Sequence, residues 1–313
     1  MILVEYSEPG SDIPSLIQPA NMGQASMEIT TLVGCSNACS HCPQEKLIKN
    51  YPGRPSARML RLDDFKTCLD KIPRQVRIDF SGMAEPWLNP ACTSMLKYAH
   101  AQGFRMAVYT TTVGMTLHDI DELETIPFSH FVIHLPGANI HSNIPHDRGM
   151  IEKLDRLQRS GIPCLQFRSI GQPHPELAGV LRRPVKQTRV YHRAGNLPED
   201  RTIGLTVKKH EFNPYRMLQG SLRCSRVQGA ELNRNVLLPN GAVVLCCMDY
   251  SLEHYLGNLL REPYSQLFLS TEYARIRAGL QGQSPILCRT CEAAEPAADH
   301  ANPLSDQVSW SSR

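Results

Sequence analysis

Cys35-Ser-Asn-Ala-Cys39-Ser-His-Cys42 puts three thiols on one short loop, spaced by three residues and then by two. Three thiolates can hold three irons of a [4Fe–4S] cluster and leave the fourth iron without a protein ligand. A closed structural site would need a fourth ligand nearby, whereas an incomplete shell leaves a position for a substrate or cofactor. On these residues alone, a zinc site that borrows a ligand such as His41, or three reduced surface thiols, stays open.

Met27 to Val33 alternates and is rich in β-branched residues, so the loop follows directly on a strand. Downstream the pattern predicts strands at 76–80, 105–110, 130–135, 163–168 and 187–191, with helices at 63–72, 90–102, 116–124, 151–160 and 175–182. Strands alternating with helices at this pitch indicate an α/β fold of βα units with a parallel sheet, closed or partly closed. Ligands in such folds collect at the C-terminal strand ends, where the cysteine loop falls. Residues 1–25 read as an irregular leader and 26–196 as the βα domain; 197–291 read as a second, smaller domain. In that second part Val236 to Leu245 forms a hairpin around Asn240-Gly241, and 256–268 and 270–280 read as short helices. From Glu292 to 313, Ala, Pro, Asp and Ser predict a disordered tail.

A net charge of +3 over 313 residues, with no long Lys/Arg run, argues against a nucleic-acid partner. The N-terminal residues lack a basic region and a long apolar run, and no window has the ~18 apolar residues of a membrane span. A cytoplasmic protein is expected. Eleven cysteines, an odd number, fit metal ligation in a reducing compartment better than disulfides. Cys68, Cys92 and Cys164 read as small hydrophobes. Cys224, Cys246 and the Cys288-Arg-Thr-Cys291 pair make a second set of four, suited to zinc or to a fully ligated [4Fe–4S] cluster.

The Cys35, Cys39, Cys42 spacing resembles the signature of the radical S-adenosylmethionine (SAM) enzymes. The second set, with Gly241 ahead of Cys246, resembles their SPASM/twitch extension, and no cysteine follows Cys291 to build a further cluster. The shorter, one-cluster twitch form is the better match, as in the 2-deoxy-scyllo-inosamine dehydrogenases; sugar epimerases of the same superfamily are also similar. The resemblance implies a partial (β/α)6 barrel of TIM type followed by a small C-terminal domain, a β-hairpin plus helix around the second cluster. It implies a [4Fe–4S] cluster on Cys35, Cys39 and Cys42 with SAM on the open iron, and one auxiliary [4Fe–4S] cluster on Cys224, Cys246, Cys288 and Cys291. A flavodoxin- or ferredoxin-type electron donor and a small-molecule substrate of carbohydrate, aminocyclitol or nucleoside type are implied as partners. A peptide-modifying enzyme of the same superfamily is the alternative, and a non-catalytic zinc or iron–sulfur protein is the alternative of another class.

The resemblance also carries over individual positions. Ser81-Gly82-Met83-Ala84-Glu85-Pro86 stands where the family receives the SAM amino group, although Ala84 replaces the usual second glycine. Thr110, Thr111, Thr112 and His134 stand at strand ends where ribose and carboxylate are met; His41 takes the usual aromatic position near adenine. Arg168 suits the SAM carboxylate, since a guanidinium matches it bidentately. Arg193 is a candidate for SAM or substrate contact. Cys247 follows ligand Cys246 directly, and in a strand adjacent side chains point to opposite faces. A thiol aimed at the barrel mouth would return a hydrogen atom to a substrate radical, completing epimerisation. Asp249, on the same strand face as Cys247, is a candidate general base for an oxidation.

Overall fold

A computed structural model describes residues 25–52, 55–188, 190–197, 217–227 and 232–297. The leader up to residue 24, the non-periodic stretch 198–216 and residues 298–313 of the expected tail lie outside them.

Six parallel strands run in chain order: β1 (Ser26–Ile29), β2 (Arg77–Phe80), β3 (Met106–Thr110), β4 (His130–Leu135), β5 (Leu165–Ile170) and β6 (Val185–Thr188). Between them lie α1 (Gln44–Asn50), α2 (Leu62–Leu69), α3 (Cys92–Ala101), α4 (Leu117–Leu123), α5 (Arg148–Arg159) and the short α6 (Pro175–Ala178). The expected partial barrel is therefore present, most boundaries falling a few residues inside the expected ones. The first strand ends at Ile29, four residues before its expected end, and α1, after the cysteine loop, had no periodic signal.

Alternation along these strands sorts the side chains. Met27, Ile29, Ile78, Phe80, Met106, Val108, Phe131, Ile133, Leu165 and Phe167 pack outward under Phe65, Leu69, Met95, Leu96, Ile120, Leu123, Leu154 and Leu157 of the helices. Glu28, Asp79, Tyr109, His134 and Arg168, of opposite parity, line an interior cavity. The helix starts are written in the sequence: Thr116 and Asp119 form a capping box on α4, and Asp147 caps α5 by accepting from Met150 N–H at 2.9 Å.

The C-terminal part continues the same sheet. β8 (Arg234–Leu237) pairs parallel with β1, β9 (Ala242–Val244) folds back on β8, and β10 (Tyr255–Asn258) pairs antiparallel with β9. The nine-stranded order is β10-β9-β8-β1-β2-β3-β4-β5-β6, so the hairpin covers the edge that β1 would otherwise leave open. The tight turn at Asn240-Gly241 is as expected, with Gly241 at φ +80°. Two expectations are corrected. Residues 256–258 are strand, because Gly257 and Asn258 are poor helix formers and β9 offers a pairing edge; the helix α7 (Thr271–Leu280) follows later. Glu292 does not open a disordered tail: β11 (Ala294–Pro296) pairs antiparallel with β7 (Leu222–Cys224). No helix among the described residues is long and apolar enough to cross a membrane.

Candidate active site

The cysteine loop is held at the C-terminal end of β1 by its own backbone and its neighbours. Cys42 N–H donates to Cys39 O at 3.0 Å, Ser40 N–H to His141 O at 2.9 Å, and Asn143 N–H to Asn37 O at 2.7 Å. Ala38 adopts φ +46°, a strained conformation for a residue with a Cβ. Tyr250 OH lies 3.4 Å from Cys42 Sγ, and Gln44 reaches the same sulfur from α1 at 3.6 Å. Burial, then Cys42 and Cys35, push the Cys39 thiol up to about 12; Cys35 is also raised, chiefly by burial. Thiols that repel one another's charge form a donor set that a cation would relieve.

These cysteines line a cavity of about 540 Å³ with Ser81, Gly82, Glu85, Thr110, Thr111, His134, Arg168, Arg193 and Cys247. Gly82 sits at φ +60°, and a Cβ there would collide with Thr30 Oγ1. Only glycine lets the strand-end backbone pass so close to β1. The buried Glu85 carboxylate accepts four hydrogen bonds: Thr110 Oγ1 at 2.6 Å, Thr111 N–H at 2.6 Å, Thr111 Oγ1 at 2.7 Å and Trp87 N–H at 3.2 Å. Its acceptor capacity is spent on tying β2's end to β3's end. His134 is pushed down to about 4 by burial, then by Arg168 and Arg193. His41 falls to about 4 for the same leading reason, and its Nδ1 is buried without a partner.

A smaller cavity is lined by Cys224, Cys246, Cys288 and Cys291, with apolar Val227, Leu232, Leu245, Met248, Leu287 and Ala293 around them. Burial pushes Cys288 up to about 12 and Cys291 to about 11, and Cys291 and Cys224 raise Cys288 further. Arg289, between the last two cysteines, donates to the carbonyls of Leu218, Gly220 and Gly279 and so fixes the turn. Glu292 accepts the N–H groups of Arg193 and Ala194, both at 3.1 Å, where these residues take φ +54°. That carboxylate ties the barrel mouth to the second cysteine set.

Zinc bound at about 2.3 Å would draw its ligand sulfurs to roughly 3.8 Å from one another. Among the described residues no three cysteine sulfurs lie within 4.8 Å of one another. Three thiols around the larger cavity and four around the smaller are donor sets that suit [4Fe–4S] cores.

Two expected site residues are not brought to the larger cavity. Thr112 is buried, donating from Oγ1 to Met150 Sδ at 3.0 Å. Asp249 is buried and accepts the N–H groups of Glu253 and His254, each at 2.9 Å. Cys246, Cys247 and Asp249 do not alternate on strand faces as expected, because β9 ends at Val244 and residues 246–249 form a turn, closed by Asp249 N–H to Cys246 O at 3.0 Å. Three residues that the sequence reading passed over stand in its place. Glu28, Arg226 and Arg234, together with Cys247, line both cavities and form the wall between them. A lone charge inside the apolar alternation Met27-Glu28-Ile29 was the signal for the first.

Residues 224–292 match the SPASM family, an iron–sulfur cluster-binding domain. That stretch begins at Cys224 and contains all four cysteines of the smaller cavity. The chain shares its fold with BtrN, solved in complex with AdoMet and 2-DOIA, at a TM-score of 0.54 and 15% identity over 86% of this chain and 92% of that one. Streptococcus suis SuiB, solved bound to precursor peptide SuiA, gives 0.56 at 12% identity over 86% and 71%. A histidine-tagged anSMEcpe with bound AdoMet gives 0.51 at 12% identity over 85% and 82%. The chain has the radical SAM fold with a SPASM-type iron–sulfur domain. No curated protein matches it in sequence. Within the radical SAM fold, the Cys35, Cys39, Cys42 loop sits at the end of β1 and the SPASM cysteines sit behind the wall that Cys247 shares.

Proposed function

We propose that this protein is a radical SAM enzyme that takes a hydrogen atom from a carbon of a small polar molecule, of carbohydrate, aminocyclitol or nucleoside type, and completes an epimerisation there. The observation that carries this reading is the place of Cys247 in the wall common to both cavities. When bound, the first [4Fe–4S] cluster and SAM supply a 5′-deoxyadenosyl radical, and the auxiliary cluster supplies an electron acceptor. Cys35, Cys39 and Cys42 would hold the first cluster; Cys224, Cys246, Cys288 and Cys291 would hold the second.

The residues around these groups bind and orient. Ser81 and Gly82 offer open backbone at the strand end where the SAM amino group would sit. Glu85 keeps that turn in place through its bonds to Thr110 and Thr111. His134, Arg168 and Arg193 face the same cavity from the barrel wall, and Arg168 and Arg193 are suited to the SAM carboxylate. Cys247 keeps its hydrogen as a thiol, since burial pushes it up to about 12, and Arg226 Nη1 holds its sulfur at 3.6 Å. Donation breaks S–H, forms C–H on the opposite face of the substrate and leaves a sulfur radical. One electron from a flavodoxin- or ferredoxin-type donor and one proton then restore the thiol.

A dehydrogenation is the second reading, favoured by Glu28 in the same wall. Its Oε2 accepts from Ser81 Oγ at 2.9 Å, and its carboxylate would take the substrate proton. The polar groups of that wall, Glu28, Arg226 and Arg234, suit a small polar molecule; a peptide, as in the SuiB complex, is the other substrate class. Turnover in deuterated water separates the reactions. Epimerisation places solvent deuterium at the reacting carbon, and Cys247→Ala abolishes that incorporation while SAM cleavage persists. A product two hydrogens lighter, formed equally by Cys247→Ala, would overturn the epimerase reading in favour of dehydrogenation.

A further inference from the structure

The charges of the larger cavity do not balance. Asp79 is closed off by a bidentate pair with Arg77, at 2.6 and 2.7 Å. Glu85 is spent on Thr110, Thr111 and Trp87. That leaves Glu28 as the one remaining carboxylate of the lining against four guanidinium groups, those of Arg168, Arg193, Arg226 and Arg234. None of the four has an ion-pair partner among the described residues, and the buried Nε atoms of Arg168 and Arg193 have no hydrogen-bond partner. Half-buried guanidinium groups without an anion are costly, and each offers five donors in a fork that fits a planar or tetrahedral oxyanion.

Arg168 and Arg193 face the part of the cavity given to SAM. SAM itself, with a sulfonium, an ammonium and one carboxylate, is a net cation; a 2+ cluster core on three thiolates carries one negative charge and one on four thiolates two, which together with Glu28 still fall short of the four guanidinium groups and SAM. Arg226 and Arg234 come from the C-terminal part and share with Cys247 the wall between the two cavities. Arg226 spends one donor on Cys247 Sγ and lies over the Tyr191 ring, 4.8 Å from its centroid. Arg234, on β8, spends Nη1 on Arg226 O at 2.9 Å. These contacts fix both guanidinium groups and leave their remaining donors to the cavity.

We infer that the substrate carries an oxyanion, a phosphate or a carboxylate, which Arg226 and Arg234 hold so that the reacting carbon lies beside Cys247. The inference rests on the reading of the larger cavity as the substrate site. Glu28, in the same wall, repels the anion and so confines it to the arginine side.

The test is anaerobic calorimetric titration of the reconstituted, SAM-loaded protein with inorganic phosphate and, separately, with malonate. At least one probe should bind saturably, one per chain. Arg226→Gln and Arg234→Gln should each weaken that binding about tenfold or more, the loss expected for one charge-assisted contact. Arg234→Lys should restore part of it, and Arg182→Gln, at an exposed pair with Asp155, should leave it unchanged. Phosphate binding alone assigns a phosphorylated substrate, and malonate binding alone a carboxylate. Absence of saturable binding by either probe overturns the inference. So does binding that both Gln variants retain in full while the reduction potential of a cluster shifts, because the guanidinium groups then serve the cluster. Iron content and reductant-driven 5′-deoxyadenosine release from the same samples test the enzyme reading separately, so either claim can fall alone.

Discussion

At the scale of single residues, the inner face of the barrel is set by which charged side chains have already found partners. Glu85 reads in the sequence as a ligand for an ammonium group, yet four donors occupy its carboxylate, and its part is to hold the turn that carries Ser81 and Gly82. His134 shows the opposite case, an ionisable group kept neutral. Burial, Arg168 and Arg193 hold its pKa at about 4, against about 6.5 in an unfolded chain. The unfolded chain therefore binds a proton that the folded protein refuses, and stability is lost as pH falls from about 6.5 to about 4. His134→Gln removes that loss, so its urea-denaturation free energy should fall less than wild type between pH 7 and pH 5, by on the order of 1 kcal/mol. Equal pH dependence in the two proteins would contradict a neutral, buried His134. Residue identity was legible where spacing encodes chemistry, as for the three cysteines of the first loop. It was not legible for Asp249, whose role depends on where β9 stops, nor for Arg226 and Arg234, which only the folded chain brings to Cys247.

At the scale of elements, the strand alternation was written plainly in the sequence and the ends of elements were not. The six βα units follow from hydrophobic periodicity, since outward residues pack under helices while Glu28, Asp79, Tyr109, His134 and Arg168 turn inward. Residues 256–258 misread as helix because a short apolar run has no period of its own; pairing with β9 decides it. Glu292 to Pro296 misread as a tail because composition alone cannot register that Glu292 accepts two N–H groups at the barrel mouth and that β11 pairs with β7. The CxxC turn depends on a long-range element in the same way. Arg289→Ala would leave the buried carbonyl of Gly279 and the less buried ones of Leu218 and Gly220 without this donor and should cost ~1–3 kcal/mol. Its expected signature is selective: iron falls by about half while SAM cleavage at the first cluster survives. Full iron occupancy in a stable Arg289→Ala protein would show that the turn does not depend on this side chain.

At the scale of the whole molecule, one sheet joins two cysteine sites. β8 pairs with β1, the strand that delivers the first cysteine loop, and with β9, so only β8 separates the strand that precedes Cys246 and Cys247 from the strand that precedes Cys35. This arrangement brings Cys247 into the wall between the two cavities, beside Glu28, Arg226 and Arg234, which line both. In the proposed reaction, the first loop would start the chemistry and the wall would decide how it ends. The proposed reaction requires iron–sulfur clusters at both sites and SAM cleavage at the first alone. The measurement is iron and sulfide content with 5′-deoxyadenosine release under reductant, for wild type and for the variant with Cys35, Cys39 and Cys42 all changed to Ala. Wild type should hold about eight irons and eight sulfides per chain and cleave SAM, and the triple variant should keep about four irons and cleave none. Zinc in place of iron, or SAM cleavage that survives loss of Cys35, Cys39 and Cys42, would contradict it.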